Sequence, residues 1–173
     1  MVAVGLILRP DTLEDEEVVR RAHEERAAHG FEFLSGHDAA RPWLDYLRVI
    51  DDDAAGRNLP EDRVATALLS AEVDGEIVGR ISIRFALNDF LLARGGHLGY
   101  AVRPNFRRRG HAREILRQGV ILLNARGVEP VLVTCGNTNF TSTVVIERRG
   151  GRLESRHVEN GTRIRRYWIS RDA

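Results

Sequence analysis

Residues 97–135 constrain the fold of this chain more than any other stretch. HLGYAVR (97–103) reads as a strand, and Pro104 stops it. A basic turn, RRRGHA (107–112), follows at once. GHAREILRQGVILLNARG (110–127) then repeats apolar and small residues at helical spacing. Ala112, Ile115, Leu116, Gly119, Val120 and Leu123 share one face, and Gly127 sits past the end. PVLVTC (130–135) is apolar without alternation, the pattern of a strand buried on both faces. A helix between two such strands makes a parallel, right-handed βαβ crossover, and the rest of the chain must build outward from it.

The flanking segments supply hairpins and helices. VATALLSAEVDGEIVGRISIRF (64–85) predicts two strands turning at Asp74-Gly75, and RLESRHVENGTRIRRYWIS (152–170) a second pair turning at Asn160-Gly161. VAVGLIL (2–8) reads as a buried strand. DTLEDEEVVRRAHEERAAHG (11–30) opens with Asp and Thr caps and early acids, which suit a helix ending at Gly30. RPWLDYLRVI (41–50) predicts a shorter helix with Pro42 in its first turn and Trp43, Leu44, Leu47 and Ile50 as its apolar stripe. DDDAAGRNLPED (51–62) reads as a polar loop, 86–96 as another, and TSTVVIERRGG (141–151) as a short helix. The expected fold class is α/β of the α+β kind: one domain over 1–173, a central mixed sheet with helices on both faces.

Composition narrows the function classes. At 173 residues, 43% hydrophobic and 29% charged, the chain has the make-up of a soluble globular domain. No run is long enough to span a bilayer, and 2–8 lacks the features of a signal peptide, so a cytoplasmic protein without a membrane partner is expected. A single cysteine, Cys135, excludes an internal disulfide, and the six histidines show no metal-ligand spacing with it. Every one of the 26 basic residues is arginine. The net charge of +1 hides an asymmetry: residues 1–75 hold 17 acids and 8 arginines (−9), and residues 76–173 hold 8 acids and 18 arginines (+10). Near-neutrality argues against a nucleic-acid partner. The split suits either two half-sites of opposite charge or two halves that attract each other where they pack.

The arginines before Gly110 have a physical use. The first amides of a helix lack internal partners, and its N-terminus carries partial positive charge. A phosphate can accept those amides. Gly110 lets the backbone approach closely, Ala112 stays small, and Arg107, Arg108 and Arg109 supply countercharge, so a pyrophosphate fits. The competing reading is a surface turn with Gly110 as a plain N-cap. The turn is neither a P-loop, since no Gly-Lys-Ser/Thr follows, nor the dinucleotide fingerprint G-x-G-x-x-G.

The strand HLGYAVRP, then Arg107-x-x-Gly110-x-Ala112, then an amphipathic helix, resembles the acetyl-CoA-binding motif of the GNAT (Gcn5-related) N-acetyltransferases, Arg/Gln-x-x-Gly-x-Gly/Ala. Asn139-Phe140-Thr141-Ser142 is similar to that family's Asn-x-x-Ser/Ala, and ERRGG (147–151) to its Glu-Lys-x-Gly-Phe, with Gly151 in place of the aromatic. The element order fits over 1–170. LNDFLLARGGHLGYAVRP and RRYWI further resemble an uncharacterised bacterial subgroup of predicted acetyltransferases. The resemblance implies a GNAT-like fold with acetyl-CoA (CoA) as cofactor. It places the backbone of Tyr100, Ala101 and Val102 against the pantetheine arm. Residues Arg107, Arg108, Arg109, Gly110, His111, Ala112 and Arg113 would wrap the pyrophosphate, between splayed strands 97–103 and 130–135. Asn139 would bond the pantetheine or nearby backbone.

The implied reaction is direct attack of a primary amine on the thioester, through a tetrahedral intermediate. It needs a base, an oxyanion donor and a group to assist the thiolate. An amide around Tyr100 to Val102 can serve the oxyanion. His97 is the nearest ionisable side chain on the strand and the candidate base, beside a purely structural role; Glu72 and Asp89 are weaker candidates. The tyrosine that many family members carry in the following helix is Ile146 here, which leaves Ser142, Cys135 or Tyr167 to act, or an unassisted thiolate. The acceptor is a small-molecule or protein amine, and the acidic segments 11–25 and 51–62 point to a cationic one. A CoA-binding sensor without catalysis is the alternative. An RNA-binding domain using Arg107 to Arg109 with Arg163, Arg165 and Arg166 ranks behind both. TRIRRYWIS reads as an edge strand that could pair across a homodimer.

Overall fold

The computed structural model describes residues 5–27, 33–34, 38 and 40–171. In chain order the elements are β1 (Ile7–Arg9), α1 (Glu16–Ala27), α2 (Trp43–Ala55), β2 (Thr66–Val73), β3 (Glu76–Arg84), α3 (Asp89–Ala93), β4 (Leu98–Val102), α4 (His111–Ala125), β5 (Val131–Gly136), α5 (Phe140–Arg148), β6 (Arg152–Glu159) and β7 (Thr162–Ile169). The strands form one sheet in the order β1-β2-β3-β4-β5-β7-β6. β4 and β5 run parallel, and the other neighbours run antiparallel. The mixed sheet and the crossover follow the expectation from 97–135. Both hairpins turn where expected, with Asp74 and Gly75 at φ 51° and 82°, and Asn160 and Gly161 at φ 48° and 77°.

Two cores flank the sheet. One packs α4 and α5 on β3, β4, β5 and β7, through Ile81, Leu98, Ile115, Leu116, Val120, Leu123, Ile146 and Tyr167. Gly119 lets α4 lie close, because a Cβ there would stand 2.5 Å from Cδ1 of Ile81 and 3.2 Å from Cδ2 of Leu98. The other core packs α1 and α2 on the opposite face through Val19, Ala22, Phe33, Trp43, Tyr46, Ile50, Leu68 and Ile77. Within it lies a buried ion pair. Arg80 on β3 donates through Nη2 to Asp11 (2.5 Å) and to the Tyr46 hydroxyl (2.8 Å), and Ser70 donates to the other Asp11 oxygen (2.5 Å). Both charged side chains are fully buried.

Several boundaries differ from the sequence reading. The start of the expected first strand and the helix end at Gly30 lie outside the described residues. The described part of that strand, β1, is a short edge strand with Ile7 exposed, since only β2 covers it. The helix at 41–50 continues through Ala55, so DDDAA is not loop. Acids at a helix C-terminus oppose the macrodipole. Here Arg57 reaches back to Asp51 (2.8 Å) and Asp52 (2.7 Å), Arg63 takes Asp53 (3.1 Å), and left-handed Gly56 closes the turn. Tyr46 rather than Leu44 completes the buried stripe. Residues 86–96 contain α3, capped by the Asn88 side chain. The strand TRIRRYWIS is not an edge: β7 inserts between β5 and β6, burying Ile164, Tyr167 and Ile169, and β6 forms the edge.

Candidate active site

β4 and β5 pair at a single register position, Leu98 opposite Val133, and then part. Four contacts clasp them at that end. The His97 amide donates to the Leu132 carbonyl (2.8 Å), the Leu132 amide to His97 Nδ1 (2.9 Å), the Gly95 amide to Thr134 Oγ1 (2.9 Å), and Gly96 bridges to Val133. Beyond Gly99 the strands diverge into a V. The His97 carbonyl and the Arg103 amide both bond to β3 (2.8 and 2.9 Å), so the odd positions of β4 spend their backbone groups there. Ala101 is among them. The amides of Tyr100 and Val102 therefore face the V. Gly96 holds the clasp at φ 64°, where a Cβ would lie 2.5 Å from the Leu132 carbonyl oxygen. Gly96→Ala should cost about 1–3 kcal/mol in chemical denaturation, through overpacking and left-handed strain; an unchanged midpoint would mean that the clasp yields freely.

The V leads to the N-terminus of α4. Gly110 caps that helix in the left-handed region, φ 84° and ψ −3°, and Arg108 is also left-handed at φ 61°. Strain of this kind in a bulky residue gathers at ligand sites. Arg107, Arg108, Arg109 and Arg113 are exposed, and none has a carboxylate partner among the described residues; Arg107 Nε reaches the Val102 carbonyl at 3.5 Å, and Arg109 lies over Phe106. The helix amides and these four cations together offer a seat that can hold an anion. The imidazole of His111 turns inward and is buried, so this residue can meet an anion through its backbone.

Many acids are engaged in ion pairs, several of them at the surface. Asp15 and Glu72 hold Arg9, Glu16 holds Arg20, Glu17 holds Arg21, and Glu25 holds Arg103. With Asp11 on Arg80 and Asp51–Asp53 on Arg57 and Arg63, most acids of segments 11–25 and 51–62 have an arginine partner, while Glu14, Glu24, Glu61 and Asp62 have no ion pair among the described residues. Among the described residues two ion pairs join the halves, Asp11–Arg80 and Glu25–Arg103, so most of the charge split of the sequence persists in the fold.

The candidate catalytic groups divide between the two faces. Tyr100 points toward α5. Its buried hydroxyl makes no hydrogen bond of acceptable geometry, although Ser142 stands beside it, and burial above all pushes its pKa up to about 12. Asn139 caps α5, accepting the Ser142 amide on Oδ1 (3.1 Å). Ile146 is core, and the Tyr167 hydroxyl is tied to Glu147 (3.1 Å). Cys135 is buried beside Thr143, and burial raises its pKa away from the reactive thiolate. His97 gives its acceptor nitrogen to Leu132, and burial, then Arg84, lowers its pKa, so it is held neutral. Glu72 lies near the sheet edge on Arg9, remote from the V. Asp89 stands at the rim of a groove on the α2 face.

That groove, of about 630 Å³, holds a residue the sequence reading passed over. Arg84 lines it, with Nη1 donating to the Gly95 and Gly96 carbonyls (3.3 Å each). Its Nη2 lies 3.6 Å from where a Gly99 Cβ would be. The signal was legible: GRISIR places Arg80, Ser82 and Arg84 at period two opposite Ile81 and Ile83, in a strand read as one arm of a hairpin.

A model of the acetyltransferase (GNAT) family matches residues 22–150. RimJ of Mycobacterium smegmatis, solved in complex with CoA-disulfide, superposes with a TM-score of 0.72 at 19% identity, covering 99% of this chain and 85% of that one. A putative GNAT-family acetyltransferase from Bordetella pertussis gives 0.69 at 19% identity, covering 98% of each chain. Spermidine N-acetyltransferase from Vibrio cholerae, in complex with CoA and spermine, gives 0.66 at 14% identity, covering 96% of each. Likeness at these identities shows the fold. None of the curated proteins compared with the chain matches it.

Proposed function

The chain belongs to the acetyltransferase (GNAT) family, and from that premise we propose that it moves an acetyl group from acetyl-CoA to a primary amine. One observation carries the reading: the V between β4 and β5 runs into a left-handed glycine, a helix N-terminus and four arginines without carboxylate partners among the described residues. A pyrophosphate suits that seat, and an extended amide-bearing arm suits the free amides of Tyr100 and Val102. Asn139 stands at the end of β5 with its amide nitrogen free to add a contact. When bound, acetyl-CoA supplies a thioester that a neutral amine can attack.

In the overall change a C–N bond forms and the C–S bond breaks, and the amine's surplus proton leaves with the thiol. The amides of Tyr100 and Val102 are placed to donate to negative charge on the carbonyl oxygen. The Tyr100 hydroxyl, protonated across the working pH range, is the donor we assign to the departing sulfur in place of the absent helix tyrosine, with Ser142 as its neighbour. His97 acts by holding the clasp; serving as base would break its bond to Leu132. Tyr100→Phe should lower kcat about ten- to a hundredfold while leaving KM for acetyl-CoA within about twofold. An unchanged kcat would mean that the sulfur leaves without this hydroxyl.

The reading is tested by titrating acetyl-CoA into the protein calorimetrically and then following CoA release with small amines and peptide N-termini. Binding with turnover supports it. Binding without turnover of any amine would favour a CoA sensor, and no binding would sink both.

A further inference from the structure

Arg84 is a cation that the donor side of the site leaves unused. It is partly buried, burial lowers its pKa, and no carboxylate among the described residues pairs with it. Its neighbours on the same face differ: Arg80 has Asp11 and Arg103 has Glu25. A cation withdrawn from water without a counter-ion is costly, and proteins normally offset that cost with a partner. Here two carbonyls hold Nη1 in place, which aims the guanidinium without neutralising it. Nε and Nη2 make no hydrogen bond among the described residues. Nη2 overlies Gly99, next to Tyr100, where the V begins, and the missing side chain at Gly99 keeps that approach open.

We propose that Arg84 pairs with a carboxylate on the acceptor, so that the substrate is an amine that also carries a carboxylate, as a free amino acid does. The proposal rests on the acetyltransferase reading and names the substrate class of that site. A guanidinium accepts a carboxylate through two parallel hydrogen bonds, which fixes orientation as well as charge. An α-amine sits two bonds from its carboxyl carbon, so pairing at Arg84 holds it beside the start of β4. The same positive charge disfavours the protonated ammonium and so favours the neutral, attacking amine. The groove is in the usual size range for small-molecule sites. The other charges that line it are Asp62, Asp89 and Arg63, and Arg63 is already held by Asp53.

The test compares the common amino acids with their carboxamides as acceptors, using the full chain, Arg84→Gln and Arg84→Lys. Acetyl-CoA binding by calorimetry is checked first for each. The wild type should acetylate at least one amino acid with kcat/KM roughly ten- to a hundredfold above its carboxamide. Arg84→Gln should collapse that ratio toward one by raising KM for the acid, with acetyl-CoA binding retained, and Arg84→Lys should recover part of it. Carboxamides turned over as fast as acids, discrimination that survives in Arg84→Gln, or acetyl-CoA binding with no amino acid turned over would each overturn the proposal and leave the donor site standing. Absence of acetyl-CoA binding in the wild type would remove the acetyltransferase reading as well.

Discussion

Gly110→Asp is expected to weaken acetyl-CoA binding by at least about a hundredfold while the protein stays folded. Asp is a favoured N-cap, so its carboxylate should offset, at the start of α4, part of the left-handed strain it inherits at φ 84°. That carboxylate would then occupy the helix amides and bring negative charge to the place proposed for the pyrophosphate. Losing even two charge-assisted hydrogen bonds, at about 1.5–3 kcal/mol each, exceeds a hundredfold. Calorimetry at matched salt measures the loss, and thermal unfolding confirms that the variant is intact. Binding within about threefold of wild type would show that the anion seat is not used, and the unpaired arginines from Arg107 to Arg113 would need another ligand.

Asp11→Ala is expected to cost about 3–5 kcal/mol, a fall in Tm on the order of 10 °C for a chain of this length. Arg80 would be left buried with the Tyr46 hydroxyl as its polar contact, since its Nε and Nη1 already lack partners. Ser70 would lose its acceptor as well. The damage would reach the interface of β2 and β3 with α2 and leave the α4 core alone, so surviving protein should still bind acetyl-CoA. Urea unfolding followed by circular dichroism measures the change. A loss below about 1 kcal/mol would mean that water reaches Arg80 and that the pair is not sealed from solvent.

The two arginines on one face of β3 show how far the sequence could be read. Their period-two spacing marks a polar stripe on a strand, yet nothing in GRISIR tells that Arg80 meets Asp11, 69 positions away, while Arg84 meets no acid among the described residues. The polar run DDDAA reads as loop from its polarity; Arg57 and Arg63 offset the acids at the end of the helix only once the chain has folded back. The apolar and arginine alternation of TRIRRYWIS is the same for an edge and an inner strand, and the order in which a hairpin docks is decided by which side chains β5 can bury. Tyr100 and Ser142 could both be named from the sequence, but not that the Tyr100 hydroxyl is buried beside Ser142 on the α5 face.

Local chemistry by itself determined the crossover, both hairpin turns and the helix start at Gly110 with its arginines. Each rests on neighbours a few residues apart: strand and helix periodicity, left-handed turn residues, and a helix N-terminus with adjacent arginines. Tertiary structure decided which charges are cancelled and which remain, since ion pairing depends on distances that sequence spacing does not encode. Most of the acids that looked like a rim for a cationic acceptor are taken by arginines, and Arg84, unremarked in the sequence, has no carboxylate partner among the described residues beside the opening of β4 from β5.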